Sequence, residues 1–455
     1  YVMQGGQRRC LPEGSRVHTK DGLIPIEDVE AGQLVMTSCG YRKVKAKIFQ
    51  GEQDTVKIKT QNGELVCTPN HRVAVVTSPY GHYEWVEARY LKEGDRLYFS
   101  NSVIDGKKTH LPENDFIVSP HAHTLKRITI PELDAEIAWL IGLIHGDGHV
   151  MLRTDKGVGK RHGRVQIACS KTYPEIKDKA VKALSRFGTN VLVREGDGDL
   201  WNVTTSSVEL ASYFQKIKQA KKSIDVPEFI KQGTVEIRAA YIAGLMDADG
   251  SESSRPIIIA AQIYPDFLNQ VQELCSSLGI ATRIKLDRNA IGNWKPLYHL
   301  SVSTGKQLKR FKSLIGEFGH KCNFRIPEGK QQFSYSLPGT MVNVFIKGTN
   351  INSNVNCSIE NIESLIGEQN FTPIKVKDVI NGEECSTWDI EVEDQTEFLV
   401  NGYLVHNSAI YGSLHWKHPD VFKFMNCKNH SPELKAMKEK DFNFPLPFEL
   451  TNISV

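Results

Sequence analysis

Residues 140–148 read LIGLIHGDG and residues 242–250 read IAGLMDADG. Both strings are apolar, and both end in Asp-Gly. Each carries two small residues four positions apart, a spacing that places them on one face of a helix, where they let a second helix backbone approach closely. We therefore predict a pair of closely packed helices. The small residues are Gly142 and Gly146 in the first string and Gly244 and Ala248 in the second.

Each predicted helix delivers one carboxylate, Asp147 or Asp249, at its C-terminal end. A carboxylate is unfavourable beside the negative end of a helix, and two carboxylates side by side repel each other. A divalent cation between them would offset both costs, and oxygen ligands with open water positions suit Mg²⁺. The natural chemistry of such a site is attack of metal-activated water on a phosphodiester.

The sequence around the two strings repeats from about 130 to 320. An apolar helix, short β-branched runs and amphipathic helices recur in the same order, at a spacing of about 100 residues. We predict two αββαββα units related by a pseudo-two-fold axis, the first starting with a helix near Pro131.

The two strings resemble the two copies of the LAGLIDADG motif of homing endonucleases. The resemblance implies an α+β domain whose paired sheets lie in the major groove of double-stranded DNA. His145 departs from the motif, because the second copy has Asp247 at that position. The metal-binding set implied for Mg²⁺ is Asp147, Asp249, Gly146 and Ala248, and the catalytic set is Asp147, Asp249 and Lys306.

Gln166 and Gln262 occupy matching repeat positions and are expected to hold water near the metal. Clustered basic residues favour phosphate contacts. The expected DNA-contacting residues are Lys160, Arg161, Arg164, Arg283, Lys285 and Arg288.

Two plainer interpretations of the domain stay open: the small residues serve only core packing, or the domain binds DNA without cutting it.

A second pattern surrounds the repeat. Residues 10 to about 110 and 372 to 407 contain short β-branched runs separated by Gly, Asp, Asn and Pro, which is typical of a β-barrel or sandwich. Single residues within these segments have ordinary explanations, such as a buried cysteine or a satisfied core histidine. Their ordered combination is more informative: Cys10, Thr68, His71, Asp389, His406, Asn407 and Ser408.

This combination resembles an intein, whose family fold is the all-β Hedgehog/intein (HINT) horseshoe. The resemblance implies that Cys10 attacks the carbonyl of Arg9, that His71 protonates the leaving nitrogen, and that Thr68 holds the carbonyl or oxyanion. Asp389 is expected to tune these steps, and Ser408 to accept the acyl group. His406 is expected to polarise the carbonyl of Asn407 as the Asn407 side chain cyclises. Thr396 stands where family members often have a histidine.

The flanks, joined across the insert, resemble the large catalytic chain of ribonucleotide reductase through the strings GGQRR–SAIYG and LHWKHPD. We therefore predict a multidomain chain in which a HINT domain is interrupted by an endonuclease. A domain that cleaves its chain without ligating is the alternative for the splicing part. The predicted segments are 1–9 and 408–455 (host), 10–125 and 331–407 (splicing domain with a linker), and 126–330 (endonuclease).

Composition agrees with a globular multidomain protein. The 455 residues carry 56 Lys and Arg against 53 Asp and Glu, so partners are set by local patches and not by net charge. The nine cysteines form no C-x-x-C pair, and Cys10 as a nucleophile needs a reducing compartment. We expect a cytoplasmic monomer cut from a longer chain, with its own junction peptides and double-stranded DNA as partners and no membrane.

Overall fold

The structure is a computed structural model that describes residues 9–78, 81–117, 127–154, 161–218, 224–254, 256–292, 294–302, 305–326, 370–407, 411–413, 419–426 and 452–454. The chain forms two compact units. The first contains the described residues up to 100 and from 370 onward, and the second those from 101 to 326. Within the described chain, no helix is long and apolar enough to cross a membrane.

The first unit begins with ten strands and two 3₁₀ turns, at Ile26–Asp28 and Ala88–Tyr90. The strands are β1 (Leu11–Pro12), β2 (Arg16–Thr19), β3 (Gly22–Pro25), β4 (Leu34–Thr37), β5 (Gly40–Gln53), β6 (Val56–Thr60), β7 (Gly63–Cys67), β8 (Arg72–Val76), β9 (Tyr83–Glu87) and β10 (Arg96–Ser100).

The second unit mixes helices and strands in the order α1 (Ala135–Asp147), β11 (Gly148–Thr154), β12 (Arg161–Ser170), α2 (Pro174–Ser185), β13 (Val191–Glu195), β14 (Leu200–Thr205), α3 (Val208–Ile217), α4 (Glu228–Lys231), α5 (Val235–Asp249), β15 (Ile257–Gln262), α6 (Pro265–Ser277), β16 (Arg283–Arg288), β17 (Leu297–Val302) and α7 (Gly305–Ile315). The first unit then resumes with β18 (Phe371–Asn381), β19 (Cys385–Val392), β20 (Glu397–Val400), β21 (Tyr403–His406), β22 (Tyr411–Ser413), α8 (Val421–Met425) and β23 (Asn452–Ser454).

One 14-stranded sheet makes up the first unit, apart from the small parallel pair β22–β23. Its order is β1-β19-β5-β4-β2-β20-β21-β8-β10-β18-β6-β7, with β3 and β9 on side branches. Strands from before residue 100 alternate with strands from after residue 370, so neither part makes this sheet alone. At the point where the chain leaves for the second unit, Ser100 of β10 is the register partner of Phe371 of β18.

The two apolar strings form α1 and α5 of the second unit. Asp134 caps α1 by accepting from the Ile137 N–H at 3.0 Å, so the helix begins at Ala135 and not near Pro131. Thr234 caps α5 in the same way. Each helix is buried over almost its whole surface, as expected for a helix that is apolar all round.

The two helices touch backbone to backbone. A Cβ atom at Gly142 would overlap the carbonyl oxygen of Tyr241, and one at Gly244 would overlap that of Trp139. One step further along, a Cβ at Gly146 would overlap the Ala248 methyl group. The small residues therefore allow this close approach, as the sequence predicts.

The two repeats flank these helices with unequal sheets. The first repeat has four antiparallel strands in the order β11-β12-β14-β13, while the second has three in the order β15-β17-β16. The prediction of αββαββα is thus wrong for the second repeat, which reads αβαββα within the described residues. The segment SESSRP, 251–256, is short and ends in a proline that cannot donate to a ladder, and only Ser251 bridges to Ile258.

The boundary between the units falls at 100/101, before the 125/126 boundary predicted from sequence. Fully buried Arg238 of α5 explains part of this difference, because its guanidinium donates to the carbonyls of Ile104 and Asp105. Glu209 of α3, also fully buried, accepts from Asn114 Nδ2 at 2.6 Å. Residues that the sequence assigned to the splicing domain thus belong to the second unit.

Substitution of Gly244 by Ala is expected to destabilise the second unit by about 3 kcal/mol or more, since the new methyl group would overlap a backbone carbonyl that cannot move aside. Denaturant unfolding would measure the loss. Gly198→Ala is the control: its φ is +66° and the space around it is open, so only backbone strain of about 1–2 kcal/mol is expected. Equal losses for the two variants would contradict close helix packing.

Candidate functional sites

The second unit brings Asp147 and Asp249 together at the C-terminal ends of α1 and α5. Burial raises the pKa of Asp147, and burial together with the negative charge of Asp147 raises the pKa of Asp249 to about 7. Asp147 is exposed and Asp249 is half-buried. The two predicted site carboxylates nevertheless lie close enough for the charge of Asp147 to act on Asp249, as like charges do.

Two lysines offset this repulsion, and the sequence analysis missed both. Lys321 Nζ donates to the carbonyls of Ala248 at 3.0 Å and Gly250 at 3.2 Å. Lys218 Nζ donates to those of Ile144 at 2.6 Å and His145 at 3.3 Å, and to that of Gly148. Each lysine thus satisfies the carbonyls at the end of one motif helix, where a cation is favoured.

The positive charges of the two lysines oppose the rise in the pKa of Asp147 and of Asp249, but they do not cancel it. Burial lowers the pKa of Lys218 to about 8, against the raising effect of the two aspartates. Lys306, the lysine predicted from sequence, is the second residue of α7. One signal could have identified the pair: Lys218 and Lys321 follow Asp147 and Asp249 at nearly equal distances in sequence.

The two glutamines predicted to act alike have different partners. Gln262 Nε2 of β15 donates to Asp249 Oδ2, which lowers the pKa of that carboxylate. Gln166 Nε2 of β12 donates instead to Asn202 Oδ1 at 3.0 Å. Only Gln262 is therefore joined to a site carboxylate.

The donor set suits a hydrated divalent cation more than a closed metal cage. No group of three or more His, Cys, Asp or Glu side chains within the described residues could hold a metal ion. Mg²⁺ is commonly held by one or two carboxylates, with water and substrate phosphate completing its octahedron. The mutual repulsion of Asp147 and Asp249 is the observation that fits such an ion.

Five of the six residues predicted to contact DNA lie within the described part of the chain, and all five are exposed. Arg161 and Arg164 lie on β12, whereas Arg283, Lys285 and Arg288 lie on β16. The Arg288 guanidinium covers the exposed ring of Trp294, with 5.3 Å between the guanidinium carbon and the ring centroid. Lys160 falls outside the described residues.

The first unit assembles the other predicted set around Cys10. Its backbone exchanges two hydrogen bonds with Thr68: the Cys10 N–H donates to Thr68 Oγ1 at 2.9 Å, and the Thr68 N–H donates to the Cys10 carbonyl at 2.9 Å. β1 pairs with β19 through Leu11 and Trp388, and the same antiparallel register places Cys10 opposite Asp389. Cys10 and Asp389 are both fully buried.

His71 is fully buried between the two predicted junctions. Burial and the nearby His406 lower its pKa to about 3, so the ring is neutral at pH 7. Neither ring nitrogen reaches hydrogen-bond geometry with a described residue, yet the backbone of Arg9 is close enough to raise the pKa slightly. Of the two backbone groups, only a carbonyl accepts from a ring N–H and so raises the pKa of a histidine, which identifies this group as the Arg9 carbonyl.

At the predicted C-terminal junction, His406 and Asn407 contact Trp85, Thr396 and Val392. His406 Nδ1 lies 2.5 Å from the Asn407 carbonyl oxygen, and its ring packs edge-on against Trp85. The Asn407 N–H donates to the Thr396 carbonyl at 2.9 Å. With its amide oriented to satisfy both ends, the Asn407 side chain also donates to this carbonyl at 2.8 Å and accepts from the Val392 N–H at 3.2 Å.

Thr396 stands where the resemblance implies a histidine, and its backbone carbonyl accepts hydrogen bonds from Asn407. The structure brings Cys10, Thr68, His71 and Asp389 together around the first junction, and it places His406 on the carbonyl of Asn407. Ser408, the predicted acyl acceptor, lies outside the described residues.

Comparison with protein families finds a match in the second unit. Residues 236–316, which include α5 and the second apolar string, match the model of a LAGLIDADG-like domain.

Several curated proteins match most of this chain at low identity. A DNA polymerase of Thermococcus kodakarensis is 24% identical over 95% of this chain and 24% of its own length. An iron–sulfur cluster assembly SufBD family protein of Mycobacterium leprae is 26% identical over 90% of this chain and 46% of its own. The ribonucleoside-diphosphate reductase NrdEB subunit alpha of Bacillus subtilis is 22% identical over 60% of this chain and 25% of its own. The chain thus spans less than half the length of these relatives.

Solved structures add two weaker likenesses. A variant of the homing endonuclease I-DmoI is 22% identical and covers 42% of this chain and 98% of its own, with a TM-score of 0.33. The gp41-1 intein is 26% identical and covers 20% of this chain and 68% of its own, with a TM-score of 0.17. Scores this low do not establish a shared fold.

The raised pKa of Asp249 predicts a pH-dependent stability of the second unit when divalent ions are chelated. In the native state Asp249 keeps its proton up to about pH 7, whereas in the unfolded chain it releases the proton near pH 4. The free energy of unfolding therefore falls as the pH rises from about 4 to about 7. Asp249→Asn should remove this dependence and raise stability at pH 8 by up to about 4 kcal/mol. Thermal unfolding at pH 5 and pH 8 measures it, with Asp178→Asn on exposed α2 as control. A pH dependence unchanged by Asp249→Asn would contradict the raised pKa of Asp249.

Proposed function

We propose that this chain is a self-splicing protein insert that carries a site-specific DNA endonuclease. The splicing activity is carried by one observation: Arg9, the last residue before the insert, lies close enough to His406 and His71 for its charge to lower the pKa of both. Residues at the two ends of the insert therefore meet, as transfer of an acyl group between the junctions requires.

The N-terminal junction has the groups for the first step. The Cys10 thiol attacks the Arg9 carbonyl carbon, the Arg9–Cys10 amide bond breaks, and the thiol proton passes to the new amine, leaving a thioester. Because His71 is neutral, its N–H can donate to the Arg9 carbonyl as charge develops there. It protonates the leaving nitrogen only after it has taken up a proton, which the Cys10 thiol can supply.

The C-terminal junction has the groups for the later steps. The Ser408 hydroxyl attacks the thioester, which frees the Cys10 thiol and forms an ester. The Asn407 amide nitrogen then attacks the Asn407 carbonyl carbon, the Asn407–Ser408 bond breaks, and the insert leaves with a succinimide. His406 polarises that carbonyl, and the Thr396 carbonyl, as acceptor for the amide N–H, orients the nucleophile. Finally, the freed Ser408 amine attacks the ester and restores a peptide bond.

The curated relatives support an insert for a separate reason. Their names describe unrelated proteins, yet two of them match 90% or more of this chain while the match covers less than half of their own length. A segment shared by unrelated enzymes is expected of an insert. The reductase match extends over 299 residues, more than the 57 flanking residues of 1–9 and 408–455 combined. The host therefore stays a proposal that rests on the flanking strings.

The endonuclease activity is carried by the paired carboxylates at the ends of α1 and α5. Asp147 and Asp249 would hold Mg²⁺, which when bound supplies an activated water and charge stabilisation for phosphodiester hydrolysis. Gln262 fixes the orientation of the Asp249 carboxylate. Lys218 and Lys321 place positive charge beside the pair, where the phosphate of double-stranded DNA would enter. The exposed basic residues of β12 and β16 would contact flanking phosphates.

The double variant Cys10→Ala with Asn407→Ala should remain a single unspliced band, because it lacks the first nucleophile and the cyclising amide. Gel electrophoresis after expression, followed by mass spectrometry, reads this out. The unaltered chain should give a ligated flank product of 57 residues, the sum of 9 and 48. Cleaved but unligated flanks from the unaltered chain would support an autoprocessing domain instead. Any ligated product from the double variant would rule out the proposed mechanism.

Asp147→Asn should abolish double-strand cleavage and leave splicing intact, since Asp147 belongs to the second unit and the splicing residues to the first. The substrate is a plasmid that carries the uninterrupted coding sequence of the joined flanks, incubated with Mg²⁺. Binding without cleavage by the unaltered chain would indicate a non-cutting DNA-binding module. Loss of splicing in the variant would show that the two sites are not separable.

A further inference from the structure

One buried polar residue precedes each site aspartate by two positions, and the proposed chemistry does not use either. Asp247 in α5 is 4% exposed, and His145 in α1 is fully buried. They occupy the same motif position but differ in chemistry. Buried polar groups are retained where their hydrogen bonds are satisfied, so their partners are informative.

Asp247 binds the segment that carries Lys321. Its Oδ1 accepts from the Lys321 N–H at 2.8 Å, and its Oδ2 accepts from the His320 N–H at 3.0 Å. Oδ2 also accepts from Trp139 Nε1 at 2.8 Å, and Trp139 belongs to the opposite motif helix, α1. A Cβ at Gly319 would crowd Asp247 Oδ2 at 3.1 Å, so the segment lies directly on α5.

His145 binds the segment that carries Lys218, with the hydrogen-bond direction reversed. Its Nε2 lies 3.3 Å from the Ile217 carbonyl, so the ring must donate there. Burial and the charge of Lys218 lower the pKa of His145 to about 3, which leaves the ring neutral and makes Nδ1 an acceptor. Nδ1 lies 2.6 Å from the Tyr241 hydroxyl, which must donate to it, and Tyr241 belongs to α5.

The two chains of hydrogen bonds are related by the repeat and cross between the helices. Trp139 and Tyr241 each precede their own site aspartate by eight residues (147 − 139 and 249 − 241). The lysines follow their aspartates by 71 and 72 residues (218 − 147 and 321 − 249). Each lysine segment is thus held by a residue of its own repeat, which is held in turn by a donor from the other repeat.

We propose that Asp247 and His145 are positioning residues, each holding the active-site lysine of its own repeat at the end of its motif helix. Through the crossed donors Trp139 and Tyr241, the placement of each lysine also depends on the motif helix of the other repeat. This inference rests on the endonuclease proposed above. A long lysine side chain is placed only as well as its backbone is, and displacements of about 1 Å at such sites can cost about a hundredfold in rate.

The test measures cleavage of each DNA strand separately by the full chain. A duplex that carries the joined coding sequence of the flanks, with a different dye on each strand, is incubated with Mg²⁺. Asp247→Asn is expected to slow cleavage of the strand whose phosphate lies nearer Lys321 about tenfold to a hundredfold, since an amide faces at least one of the three N–H donors with an N–H of its own. His145→Leu is expected to slow cleavage of the strand whose phosphate lies nearer Lys218.

Two further variants serve as controls. His145→Gln keeps one donor and one acceptor and should restore most of the rate that His145→Leu loses. Asp178→Asn makes the same chemical change as Asp247→Asn on the exposed face of α2 and should leave both strands unaffected. Combined with Lys321→Met, Asp247→Asn should add little further loss, because both substitutions act through the same lysine.

Equal slowing of both strands, with a matching loss of thermal stability, would overturn the proposal in favour of simple core packing. Hydrogen exchange of the His320 and Lys321 amides supplies a readout independent of cleavage. If these amides exchange no faster in Asp247→Asn than in the unaltered chain, Asp247 does not hold the segment, whatever the DNA result. If the unaltered chain cuts neither strand, the endonuclease proposal fails by itself, and the exchange result still decides whether the anchoring is real.

Discussion

Two backbone carbonyls, those of Trp139 and Tyr241, occupy the space that side chains at Gly244 and Gly142 would need. This contact lets the ends of α1 and α5 come so close that the charge of Asp147 raises the pKa of Asp249. The raised pKa of Asp249 follows in part from that proximity, because like charges repel. Positive charge is favourable beside carboxylates and beside the carbonyls at a helix C-terminus, which is where the two lysines lie. The site of the second unit is therefore a consequence of helix packing more than of any single catalytic group.

The sequence predicted this packing well, because small residues at a spacing of four and a terminal aspartate are local signals. It failed where a partner lies far along the chain. Lys218 and Lys321 come from segments about 70 residues after the motif, and no local pattern marks them, whereas Lys306 was predicted from the family resemblance. The predicted order αββαββα matches the first repeat, where β11 directly follows α1. The second repeat lacks a counterpart because proline and three serines replace it.

In the first unit, the sequence predicted which residues gather but could not predict their protonation. Cys10 reaches Asp389 only through the pairing of β1 with β19, and His71 is neutral only because the sheet buries it beside His406 and Arg9. The carbonyl of Thr396 was likewise invisible in the sequence, since backbone groups carry no residue signature. Motif spacing thus finds side chains, whereas register and burial determine how they act.

The pairing of Ser100 with Phe371 has a consequence for how such a chain could arise. Strand partners in an antiparallel ladder have Cα atoms about 4.5–5.5 Å apart, a gap that a tight hairpin turn also spans. To the sheet of the first unit, the whole intervening segment is therefore one very long loop, and each doubling of loop length costs only about 0.6 kcal/mol of closure entropy. An ancestor with a short turn at this point could thus have acquired the second unit, and a descendant could shed it, with no change in the ladder between β10 and β18.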